Sequence, residues 1–183
     1  MANNSGNVTA GKPATTGAIF CAPVGTTLPT DAKTALDSEF KCLGYASEDG
    51  LTNDNGPESD NVKAWGGDTV LALQTSKEDT FGFKLIEAMN VDVLKVIYGS
   101  DNVEGTLETG ITVKANADAA EEYAWVFEMI LKGGILHRIV VPKASVTELG
   151  TINYVDSDAV GYEVTITAVP DAAGNTHYEY KAK

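Results

Sequence analysis

Basic residues are scarce. Only 13 Lys and Arg stand against 26 Asp and Glu in 183 residues, a formal net charge of −13. Phosphate backbones are gripped by Lys and Arg that release counterions, so this balance argues against a nucleic-acid-gripping surface. It also disfavours docking on an anionic membrane leaflet. Cysteine is nearly absent. Cys21 and Cys42 are too few for a disulfide scaffold, lack the C-x-x-C spacing of a thiol redox motif, and read as reduced, small apolar fillers. The only histidines, His137 and His177, lie inside strand-like runs and read as packed or surface residues. Neither belongs to a helical i, i+4 pair or sits beside a cysteine, so there is no zinc pattern. No apolar run approaches the ~18 residues of a membrane helix; the richest, Tyr123 to Leu131, is interrupted by Glu128. The N-terminus has neither a basic start nor an apolar stretch, so no secretory signal is expected.

Catalytic motifs are missing as well. The chain has no G-x-S-x-G elbow, P-loop or dinucleotide fingerprint. The acidic stretch Asp54 to Asp60, and Asp156 with Asp158, lack EF-hand spacing and read as turn residues. The adjacent Glu121 and Glu122 are unremarkable among 26 acidic residues, although such pairs serve glycosidases. The reading is therefore of a non-enzyme, without cofactor or metal.

What the chain does have is apolar content, 43% of residues. That is too much for a disordered acidic chain and suits one domain burying roughly 70% of its unfolded surface. Residues 1–16 lack hydrophobic periodicity and read as a flexible arm, leaving 17–183 as a single domain. Strands are expected over 17–24, 40–46, 69–75, 80–86, 111–115, 123–132, 135–141, 161–169 and 177–181. The turn Ser76 to Asp79 suits a hairpin joining 69–75 to 80–86, and Lys132-Gly133-Gly134-Ile135 a second hairpin. The loop Asp171 to Asn175 would return the last strand against 161–169. Strand 123–132 is apolar on both faces and should be central. One helix is expected over 90–98, with Asn90 as N-cap and Gly99 just past its end. About eight or nine strands and one short flanking helix imply a mainly β fold, a β-sandwich or rolled barrel.

Residues 47–67, SEDGLTNDNGPESDNVKAWGG, show no periodicity. Structureless loops of this length are uncommon in compact domains and are usually functional or disordered. Trp65 at its return argues that it packs on something, another subunit being the natural candidate.

Across most of its length the chain resembles the major tail proteins, or tail tube proteins, of long, non-contractile-tailed bacteriophages (siphophages). The stretches that carry the resemblance are NVTAGKPATTGAIFCAPVGTTLP (7–29), LGYASEDGLTNDNGPESD (43–60), KAWGGDTV (63–70) and DTFGFKLIEAMNVDVLKVIYG (79–99). HRIVVPKASVTELGTINYVD (137–156) and GYEVTITAVPDAAGNTHYEYKA (161–182) follow in order. The resemblance implies a tube fold whose subunits form hexameric rings that stack into a helical tail tube. Its implied partners are further copies of itself, a tape-measure protein in the lumen, and the tail terminator and distal tail proteins. Genomic DNA transits the lumen without specific binding. Assembly would take place in the host bacterial cytoplasm, without a membrane, and the product would reside in the virion tail.

On that reading the 47–67 segment is an assembly loop. Asp49, Leu51, Asp54, Glu58, Asp60 and Trp65 are candidate inter-subunit or ring-stacking residues, with Leu51 and Trp65 as anchors. Asp68, Gln74 and Glu128 are candidates for lining the lumen, where acidity would repel DNA. Two other readings compete. A surface-binding β-sandwich module (adhesin or receptor-binding domain) would expose an aromatic groove and remain a monomer or trimer. A β-sandwich hydrolase would show a pocket with paired carboxylates.

Overall fold

The computed structural model describes residues 3–183; the first two residues of the expected N-terminal arm lie outside them. The described residues form thirteen strands and one α-helix in a mainly β fold. The strands are β1 (Gly11–Pro13), β2 (Ile19–Pro23), β3 (Lys41–Cys42), β4 (Ala46–Asp54), β5 (Pro57–Lys63), β6 (Thr69–Lys77) and β7 (Thr80–Leu85). After α1 (Val91–Tyr98) come β8 (Val103–Glu104), β9 (Thr112–Val113), β10 (Glu122–Leu131), β11 (Ile135–Leu149), β12 (Tyr162–Ala168) and β13 (Tyr178–Ala182). Nine of these strands are five residues or longer.

Local chemistry explains the elements that the sequence announces. Asn90 caps α1 by accepting the Asp92 N–H at 3.0 Å, and Val93, Leu94 and Val96 are buried. Gly99 follows with φ of +93°, where a side chain would be strained. Gly133 and Gly134, both at positive φ, turn β10 into β11. In β10, Tyr123, Ala124, Trp125, Val126 and Phe127 are buried in succession, so the strand is covered on both faces.

The main sheet runs β3-β2-β10-β11-β12-β7-β4, with β1 added to β10 and β13 to β11. β7 and β10 are separated by two strands in this order, yet Phe81 stacks on Phe127 at 5.4 Å and Phe83 lies 5.7 Å from Trp125. The sheet is therefore rolled onto itself, and the main core fills the space between its halves. The roll happens along β11. Its first part pairs with β13, its last part with β12, and register shifts interrupt its ladders with β10 and β12. Pro142, which made the strand look finished at 141, sits beside the first of these shifts, where a missing N–H is tolerated. A second cluster covers the other face of β10, with Leu28, Leu36 and Phe40 of the 25–40 segment packed over Ala124, Val126 and Val140. Cys21 lies in the main core, where burial pushes its thiol up to about 12.

Several expected pairings are replaced. β6 pairs with β5 and not with β7; β7 instead pairs with β12 and β4. The reason is burial: Phe81, Phe83 and Leu85 of β7 need core neighbours, whereas β6 is almost wholly exposed. β13 pairs with β11 and not β12, because the long β11 has an edge free where β12 has left it. The expected strand 40–46 is broken at Gly44, with φ of +75° and the Glu87 carboxylate where a Cβ would stand. Within the expected flexible arm, β1 pairs with β10, and Thr9 Oγ1 accepts the Lys132 N–H at 2.9 Å.

Candidate assembly surface

Residues 47–67 form strands where an irregular loop was expected. β4 continues into β5, and β6 into β7, as one two-stranded ribbon. Its inner part, β4 and β7, belongs to the main sheet. Its outer part, β5 and β6, pairs only with itself and stands as a separate arm. The seven residues of β5 carry it roughly 23 Å from its root, and Ala64 to Asp68 close its tip.

The arm is amphipathic. Val62 faces Leu71 and Asp60 faces Leu73 across the ladder, so these four share one face. Ser59 opposite Gln74 and Asn61 opposite Ala72 make the other. Val62, Leu71 and Leu73 are 44%, 50% and 48% exposed, and Trp65 at the tip is fully exposed. An isolated two-stranded hairpin is marginal in water, and clustered exposed apolar side chains mark interaction surfaces. Covering such side chains is worth about 1.5–3 kcal/mol each when complete. Residues 47–68 also hold six carboxylates against one lysine. Glu58 accepts a hydrogen bond from Ser76 Oγ at 2.7 Å and so braces the ladder near its root.

The candidate residues divide between arm and body. Glu58, Asp60, Trp65, Asp68 and Gln74 lie on the arm or its tip, and Asp54 closes β4 at the root. Asp49 is exposed on β4. Leu51, expected as an anchor on a neighbour, packs on the chain's own core opposite Phe83. Glu128, expected toward a lumen, is paired with Arg138, which is 5% exposed. The Arg138 Nε reaches Glu128 Oε1 at 2.8 Å, and Nη1 donates to the Asp31 and Thr34 carbonyls, each at 2.8 Å. This pair fastens the 25–40 segment to the sheet. Asp31 tightens the same turn by accepting the Thr34 hydroxyl and the Lys33 and Thr34 amides, which hold its carboxyl down at about 2.

The adjacent Glu121 and Glu122 noted in the sequence have separate partners. Glu121 accepts from Ser100 and Tyr123, while Glu122 meets Lys143 at 2.8 Å. Asp158 lies 3.7 Å from Lys84. Among the described residues, no three His, Cys, Asp or Glu side chains are grouped to hold a metal, and no helix is long and apolar enough to cross a membrane. Sequence reasoning missed the amphipathy of the arm, because its apolar side chains come mainly from β6, which was assigned to another hairpin.

The class so defined is a rolled β-sandwich protein bearing an acidic two-stranded arm with an exposed apolar face. The chain belongs to the phage tail tube protein family, whose model matches residues 1–182. Its role is structural and its place is the tail of the virion. No curated protein matches it.

Proposed function

We propose that the protein forms hexameric rings that stack into a helical tail tube around a tape-measure protein, and that the tube later conducts genomic DNA. The observation that carries this reading is the arm, whose apolar face and Trp65 are exposed with no cover among the described residues. A ring needs head-to-tail contacts that close, and a tube needs an axial contact that does not. The arm serves the axial contact, reaching a copy in the next ring. Subunits made in the host bacterial cytoplasm meet the tail terminator and distal tail proteins at the two ends of the tube. The acidity of the chain supports passage of DNA without binding.

Negative-stain imaging of the purified chain, alone and with tape-measure protein, tests this. Hollow tubes of stacked sixfold rings are expected. A stable monomer or trimer in both samples would overturn the reading and favour a surface-binding module.

A further inference from the structure

At the root of the arm the ribbon ladder is interrupted. Asp54 pairs with Thr80 and the next pair outward is Pro57 with Lys77, leaving Asn55-Gly56 and Glu78-Asp79 between them. Pro57 has no N–H to give, so backbone hydrogen bonding between the two strands is thin at this break. The Asp79 side chain crosses it. Asp79 is 2% exposed, and a carboxylate so buried is tolerated only when donors surround it. Three side chains converge here from two segments. Asn53 Nδ2, on the strand entering the arm, donates to Oδ1 at 2.8 Å. Thr176 Oγ1 donates to Oδ2 at 2.5 Å, and His177 Nδ1 lies 2.5 Å from the same oxygen. Asn53 Nδ2 also reaches the Thr80 carbonyl at 3.0 Å, and the His177 ring stands edge-on to Phe81 at 5.4 Å. The Asp79 carbonyl accepts the Ala168 N–H at 2.9 Å.

We infer that Asp79 is a positioning residue that locks the arm at one angle to the body, with Asn53, Thr176 and His177 as the catches. The lock joins both strands of the root to the segment preceding β13. The arm's direction is thereby set by the C-terminal part of the chain before any partner is met. This goes beyond the tube reading and is tested without polymerisation.

Spin labels at W65C on the tip and T112C on the body, in the full chain with C42S, report the tip-to-body distance distribution by pulsed electron resonance at micromolar concentration. A narrow distribution is expected. H177F keeps the aromatic packing on Phe81 and removes the Nδ1 contact; it should at least double the width while the near-ultraviolet circular dichroism of the body is retained. N53A, a change at a more exposed catch, should broaden the distribution to a smaller extent and carries the test if H177F fails to fold. An unchanged width in folded H177F, or in N53A where H177F does not fold, overturns the inference.

Discussion

Removing the Arg138 guanidinium leaves the Glu128 carboxylate, 18% exposed at its side chain, without its counter-charge and frees two carbonyls of the 25–40 segment. Breaking a buried pair on one side costs about 3–5 kcal/mol, whereas replacing both partners by apolar residues of similar volume is often nearly neutral. R138A is therefore expected to lower the urea midpoint steeply, and R138M/E128L to recover the part due to the stranded charge, the Asp31 and Thr34 carbonyls losing their donor in both. Equal destabilisation by both would show that the pair is not the fastening. Asp31 gives the same segment a pH dependence. Its folded carboxyl titrates at about 2, below the ordinary 3.8. Its contribution is thus fully present above the unfolded value and lost as pH falls from about 4 toward 2. Carbon-13 NMR should place the Asp31 midpoint near 2. D31N should flatten the acid limb of the stability curve in that window and leave its shape between pH 5 and 7 unchanged.

At the scale of elements, the proposed role of the arm would separate folding from association. L71D/L73D places charge on its apolar face without touching the core, and surface changes of this kind usually alter stability by no more than about 0.5 kcal/mol. The variant is expected to melt within a few degrees of the parent and to form no tubes by electron microscopy. A deletion of residues 50–62, the cut suggested by an apparently irregular loop, would remove half of β4 and uncover Phe83. Removing Pro57–Lys77 leaves Asn55-Gly56-Glu78-Asp79 to span Asp54 and Thr80, which are already paired. That deletion should leave a folded monomer.

The contrast shows which elements could be read from the chain. α1, the Gly-Gly hairpin and β10 were legible because their determinants are local: a cap, a turn dipeptide, an unbroken apolar run. Of the arm, β6 was legible as a strand over 69–75, but β5 and its pairing with β6 were not, since a solvated strand of polar residues carries no apolar run to announce it. Ser76 to Asp79 has the composition of a reversing turn, but here it lies at a kink in a continuing strand, and composition does not separate the two. The Asp79 cluster joins residues 98 positions apart, a juxtaposition created only by the rolled sheet.

For the whole molecule the question is what the acidity does once copies assemble. A hexameric ring, as proposed, would carry six times −13 in formal charge, screened beyond about 8–10 Å at physiological salt. Only side chains at the lumen wall can then act on passing DNA. Asp68 at the arm tip and Gln74 on its polar face remain the candidates, Glu128 being neutralised by Arg138. In the tubes that D68K/Q74K still forms, DNA delivery by complete particles should be slowed, with relief at high salt. Unaltered delivery would assign the charge to solubility alone.

The burial of Arg138 has a consequence for that passage. It is the chain's one arginine, and all its contacts are spent inside the subunit. Forked, two-point recognition of a phosphate is an arginine property, whereas lysine acts as a mobile point charge. On the proposed reading, however many copies stack, the tube would present passing DNA with no planar clasp, and any hold on the backbone would fall to lysine ammonium groups acting as point charges.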